Sequence, residues 1–268
     1  AQAIKPGGER ITRGRKAGQG EYTLPGMVHP LLNVRLLDLT PARIAAWMQD
    51  NNARGATQAA KVFRLVRAFL GWCAERPEYA GLVHADACRT SEVRDHVKAV
   101  KAKGDSLQRE QLALWFEHVR QLGNPVHAAY LQTALLTGAR RSEALGLLWS
   151  DIDFRWHTIT FRDTKTGGDR VIPLTRHVES MFVELRDRAA ASERKRMARA
   201  ERQGEPYSPR QRNENVFAIA EPAKGIKAVA TATGVYVTSH DLRRSFASLS
   251  EWCEIPDGIV RQVMGHSS

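Results

Sequence analysis

One short stretch of this chain alternates apolar and polar residues, Thr158-Ile159-Thr160-Phe161, while most of the remainder repeats at helical spacing. Strict alternation puts one set of side chains on each face of a strand. A turn at Thr166-Gly167-Gly168-Asp169 follows, and Val171-Ile172 then leads into Pro173-Leu174. The pattern predicts a single antiparallel β region inside an otherwise helical protein. The expected class is therefore mainly α with a small antiparallel β-sheet (α+β).

Residues from about Leu39 to Leu82 read as helical. Thr40-Pro41 offers a cap followed by proline at the first helical position. Ile44, Trp47 and Met48 recur at helical spacing. A break is expected at Asn51 to Gly55, and a second amphipathic run then carries Val62, Phe63, Val66, Phe69, Leu70 and Cys73. Its other face shows Lys61, Arg64 and Arg67, which suits phosphate tracking and suits a solvated face equally well. From Ala87 to Gly104 apolar residues thin out while Arg89, Arg94, Lys98, Lys101 and Lys103 accumulate, as in an extended basic linker.

Further on, Asp105 or Ser106 can cap a helix through Leu112, Trp115, Phe116 and Val119. Helices are expected over about Val126 to Leu136 and Arg141 to Leu148, with Gly138 as the stop between them. Thr175 can cap a long helix that runs into Ala189 to Gln203, where Arg194, Lys195, Arg196, Arg199 and Arg202 crowd together. A polar surface loop to Arg212 and three short helices complete the chain: Pro222 to Ala232, Asp241 to Trp252, and Asp257 to Met264. The organisation that follows is a basic flexible arm (1–30), a helical domain (31–88), a linker (89–105) and a larger domain (106–268).

The 268 residues carry 40 Lys and Arg against 29 acids, a formal +11, so a polyanion is the leading class of partner. The three cysteines, Cys73, Cys88 and Cys253, form no CxxC pair and no spaced zinc set. Such sparse thiols fit a reducing, cytoplasmic setting. No metal or cofactor site is expected, and no apolar run has the length of a membrane span.

Four segments carry chemistry. In Thr137-Gly138-Ala139-Arg140-Arg141-Ser142-Glu143 a helix stops at glycine and another starts, with Arg140 at its mouth and Glu143 on the same face. Free N–H groups at a helix start and a guanidinium together attract an anion. In Asp163-Thr164-Lys165-Thr166-Gly167-Gly168-Asp169-Arg170 a hairpin lysine can swing into a cleft and protonate a leaving oxygen. In His240-Asp241-Leu242-Arg243-Arg244-Ser245-Phe246-Ala247-Ser248 the spacing puts His240 and Arg243 on one helical face. Val263-Met264-Gly265-His266 ends a helix and displays His266. Taken singly, each segment is also satisfied by ordinary surface pairs, turns and caps.

In this order, TGARRSEALGLLWSDID, Lys165 on a hairpin, HDLRRSFAS and MGHSS resemble the tyrosine recombinase (phage integrase) family. The resemblance covers Ser106 to Ser268, and the preceding helical segment is similar to the family's core-binding domain. It implies site-specific DNA recombination, integration or excision, through a 3′-phosphotyrosyl intermediate with no cofactor. By the same resemblance Arg140 and Arg243 clamp the scissile phosphate and Lys165 protonates the 5′-oxygen. His240 and His266 are the further acid/base or donor groups, and Glu143 supports the site. The implied partners are double-stranded DNA and other protomers, as a tetramer on DNA. Lys61, Arg64, Arg67, Lys98, Lys101, Lys103 and Arg244 are the candidate DNA contacts.

One departure concerns the nucleophile. Family members carry the attacking tyrosine about nine residues, some two to three helical turns, past the final histidine. Here the sequence reaches only Ser268, and none of Tyr22, Tyr79, Tyr130, Tyr207 and Tyr236 lies there. The expectation is a parent protein that continues and a chain that binds DNA without cleaving it. Two other readings stay open: a type IB topoisomerase-like enzyme, and a non-catalytic DNA-binding relative.

Overall fold

The computed structural model describes residues 2–12, 20–98, 105–162, 167–209 and 214–265. The chain divides into two compact units, Ala1–Lys103 and Gly104–Ser268, each built around a core of its own.

In the first unit, helix α1 (Pro41–Ala74) starts as the Thr40-Pro41 pair predicts, with the Thr40 hydroxyl accepting from the Arg43 N–H. The break expected at 51–55 falls at Gly55, where two helical stretches of α1 meet across a kink. Gly55 alone leaves helical geometry, at φ 157° and ψ 100°, a conformation that side chains rarely adopt. The helix ends at Ala74 rather than near Leu82, because Pro77 cannot continue it.

The stretch expected as an extended linker from 89 contains helix α2 (Ser91–His96), with Val93 fully buried in the first unit's core. Its few apolar residues are spaced i, i+4, so Val93 and Val97 fall on one side, and that is enough to pack α2 on α1. The Asn52 amide ties the two by donating to the His96 carbonyl at 2.6 Å. The arm expected to be free is likewise engaged where it is described. Arg10 and Tyr22 form a β-bridge, Ala3, Met27 and Val28 pack on the core, and the Trp47 indole donates to the Met27 carbonyl. Ladder bonds and apolar anchors satisfy a backbone that basic composition alone would leave solvated.

The second unit holds α3 (Leu112–Arg120), α4 (Pro125–Thr137) and α5 (Arg141–Leu145). A three-stranded antiparallel sheet follows in the order β1 (Ile152–Asp153), β2 (Thr158–Phe161), β3 (Arg170–Pro173). The hairpin registers Ile159 against Ile172 and Phe161 against Arg170. Gly167 and Gly168, just before β3, both have positive φ, a conformation glycine adopts freely. The two-residue β1 is too short to alternate and leaves no signal in the sequence. Helices α6 (Arg176–Gln203), α7 (Ala223–Thr233), α8 (Ser239–Trp252) and α9 (Asp257–Met264) complete the unit. Helix α4 is its centre. It is buried on nearly every side, His127, Gln132, Thr133 and Thr137 included, which requires neighbours all round. Helices α3, α5, α6, α7 and α8 supply that cover.

Among the described residues no helix is long and apolar enough to cross a membrane. No group of three or more His, Cys, Asp or Glu that could hold a metal occurs among them either.

Candidate functional site

Three turns of chain meet in the second unit: the α4–α5 corner, the start of α8 and the end of α9. Gly138 closes α4 in the left-handed conformation at φ 60°, which turns the chain so that Arg140 sits immediately before α5. Thr238 caps α8 by accepting from the Asp241 N–H, and Asp241 returns a bond from the Thr238 N–H at 2.9 Å. That box sets the helical phase of His240 and Arg243. Gly265 ends α9, again left-handed at φ 66°.

The Arg243 guanidinium is 5% exposed and is fixed by two carbonyls, Gly138 at 2.5 Å and Met264 at 2.7 Å. It thereby ties the α4 corner to the end of α9. Arg140 donates to the Glu143 carboxylate at 2.5 Å and to the Gly265 carbonyl at 3.2 Å. Glu143 also accepts the Arg140 backbone N–H at 2.9 Å. At the start of α5 the Arg140 N–H is thus already taken by Glu143, and the Arg140 and Arg243 guanidiniums stand at that corner.

A third guanidinium belongs to Arg170, at the first position of β3. It is 8% exposed, pairs with Glu143 at 2.7 Å, donates to the Val263 carbonyl and lies over the Phe161 ring. The sequence alone presents Arg170 as the last residue of a polar turn. Register is the signal that marks it: it faces Phe161 across the hairpin, and Phe161 points into the core.

Three guanidiniums thus surround one buried carboxylate. Burial opposes ionisation of Glu143, but the N–H and guanidinium of Arg140, with the charges of Arg170 and Arg140, outweigh it and hold the carboxyl below its usual range. Burial, reinforced by the neighbouring charges of Arg140 and Arg170, pushes Arg243 down to about 10. Burial likewise lowers Arg170 against the pull of Glu143. The cluster carries more positive charge than its own residues neutralise.

Arg140, Arg243 and the exposed His240 line one half-open cleft of about 690 Å³. Its rim adds Lys227, Tyr236 and the Arg141–Glu221 ion pair at 2.5 Å. Of the five tyrosines, Tyr236 alone lines this cleft. Tyr130 is buried and donates to Ser239. Lys165 and His266 lie outside the described residues, as do Lys101 and Lys103. Arg244, expected as a DNA contact, is drawn 3.7 Å from Asp241. Lys61, Arg64, Arg67 and Lys98 are exposed in the first unit, the first three opposite buried Val62, Phe63 and Val66.

The profile of the phage integrase family matches residues 106–268, and that of the phage integrase core-binding domain matches residues 1–95. The chain belongs to the phage integrase family. The elements of the cleft, the Arg140 corner, α7 and α8, fall inside the matched integrase region. Prophage integrase IntF of Escherichia coli (strain K12) is 38% identical over 256 residues, covering 94% of this chain and 52% of that protein. Tyrosine recombinase XerA of Pyrococcus furiosus is 29% identical over 135 residues, 49% of this chain and 43% of its own. The chain therefore spans about half the length of the curated relatives it matches. Among solved structures, an integrase of the Tn1549 transposon in complex with circular intermediate DNA superposes at TM-score 0.62 and 14% identity, covering 87% of this chain and 79% of that one. A lambda integrase dimer bound to a COC′ core site gives 0.55 and 18%, over 87% and 63%. At such identity the likeness is one of integrase fold.

Proposed function

We propose that this integrase-family chain acts in site-specific recombination of double-stranded DNA, and that its cleft receives the scissile phosphate. The observation that carries the reading is the convergence of Arg140 and Arg243, far apart in sequence, on one cleft with surplus positive charge. Preorganised guanidiniums stabilise the charge that develops on the non-bridging oxygens as phosphorus is attacked. A guanidinium has five N–H donors, so the bonds that fix the Arg243 plane leave donors for an oxyanion. In this reading a tyrosine hydroxyl attacks phosphorus and forms the 3′-phosphotyrosyl bond. The bond to the 5′-oxygen breaks, and Lys165 supplies that oxygen's proton. His240 and His266 are the acid/base groups or donors around the phosphate, and a second 5′-hydroxyl reverses the step. Glu143 acts through Arg140.

The first unit, with Lys61, Arg64, Arg67 and Lys98 exposed, is assigned to grip the duplex, joined in sequence by Lys101, Lys103 and Arg244. Lambda integrase has been solved as a tetramer bound to a Holliday junction, and the same reading gives this protein partner protomers on DNA. Its place of action is the cytoplasm, where such DNA is found.

Inorganic phosphate tests the cleft directly. It should raise the unfolding temperature more than chloride at equal ionic strength, and Arg140→Gln or Arg243→Gln should remove that excess. An unchanged excess in both variants would place the anion elsewhere. A suicide DNA substrate tests the nucleophile. No covalent adduct is expected with residues 1–268, whereas an adduct lost in Tyr236→Phe would move the nucleophile to the cleft rim.

A further inference from the structure

Helix α6 extends far beyond the core that starts it. Its buried residues are Val178, Phe182 and Leu185, and the helix then continues to Gln203, about 27 Å at 1.5 Å per residue. A helix without a buried face needs some other source of stability. On this projecting part Lys195, Arg199 and Arg202, at i, i+4 and i+7, share one face and are all exposed. Like charges at this spacing weaken a helix. Among the described residues no acid pairs with them: Arg199 donates to the Gln203 amide oxygen at 3.1 Å and Arg202 to the Ala198 carbonyl at 3.1 Å.

The opposite flank is treated differently. There Glu193 and Arg196 pair at 2.8 Å. Past Gly204, left-handed at φ 64°, the chain turns back onto that flank. The Tyr207 hydroxyl donates to Glu193, and Arg196 donates to the Ser208 carbonyl at 3.4 Å. The return segment thus covers the paired flank and leaves the cationic one open.

We infer that the Lys195–Arg199–Arg202 face is a second contact for the phosphate backbone of duplex DNA, separate from the cleft. The inference rests on the DNA-directed reading of the cleft and adds an element that reading does not use. The three residues step along the axis by about 6 and 4.5 Å, comparable with about 3.4 Å of rise per phosphate on one strand. Each long side chain can therefore reach its own phosphate. The face lacks the aromatic or aliphatic anchors on which a protein partner would depend. Contacts of this kind position a protein on DNA without reading sequence.

The test uses residues 1–268 and a labelled duplex of arbitrary sequence, with affinity measured against KCl concentration. Replacing Lys195, Arg199 and Arg202 together by Gln should make the log–log salt slope shallower by about 2.7, three contacts at about 0.9 each. Helix content should be retained, since Gln is a good helix former and the repulsion is removed. A matched variant neutralising the scattered exposed Arg120, Arg155 and Arg176 should change the slope much less. An unchanged slope in the α6 variant, or equal losses in the two variants, would overturn the α6 contact alone. Failure of the parent chain to bind duplex at all would overturn both this contact and the DNA reading of the cleft.

Discussion

At the scale of single residues, Glu143 decides whether the site keeps its form. Among the described residues it is the one carboxylate holding two of the three guanidiniums, and its removal leaves Arg170 buried without a counter-charge. Breaking a buried pair from one side typically costs more than the pair contributes. Glu143→Gln should therefore lose about 3 kcal/mol in urea unfolding at neutral pH, and the phosphate-specific stabilisation should weaken with it. Because the folded carboxyl lies below its ordinary value of 4.5, its stabilisation is complete above that pH and is lost as pH falls below it. The pH profile of Glu143→Gln should be flatter there than that of the parent. His127 acts on a different window. Burial first, then the charge of Lys224, lowers it from an ordinary 6.5, and its Nδ1 has no partner among the described residues. The folded state favours its neutral form, so this contribution to stability should be full above about pH 6.5 and fall as pH drops below. His127→Gln should remove that part of the slope, as read by unfolding midpoints between about pH 5 and 8.

At the scale of elements, the α4–α5 corner carries the geometry. A Cβ at Gly138 would come 2.7 Å from the Phe246 ring, and the φ of 60° is itself unfavourable for a side chain. Gly138→Ala should cost about 2 kcal/mol and displace the Gly138 carbonyl that holds Arg243. Denaturation midpoint and phosphate response should fall together, unlike a loss confined to the core. Most helices were legible because their apolar periodicity, caps and stops agree, as at Thr40-Pro41, Gly138 and Gly265. The hairpin was legible for the same reason. What escaped was local structure held by few distant contacts: β1, the ladder between Arg10 and Tyr22, and α2, whose apolar content is Val93 and its neighbour Val97. The Gly55 kink was visible as a break between two amphipathic runs, and the structure places both in α1.

At the scale of the whole molecule, each of the two units owns an apolar core, one around α1 and α2 and the other around α4. Residues 1–98 and 105–268 produced as separate fragments should each unfold cooperatively by circular dichroism, and calorimetry of the intact chain should resolve two transitions. A 105–268 fragment that stays unfolded would contradict the division. The sequence by itself determined the class of fold, the order of the four chemical segments and the excess of positive charge, because periodicity, glycine stops and charge are local or additive properties. Tertiary structure alone decided which charges meet. It recruited Arg170 from an apparent turn and committed the Arg140 N–H to Glu143. It drew Arg244 toward Asp241, and left the Lys195–Arg199–Arg202 face open. Burial and pairing depend on residues more than a hundred positions apart, 125 between Arg140 and Gly265 and 138 between Leu107 and Ser245, and no local pattern records which of them will touch.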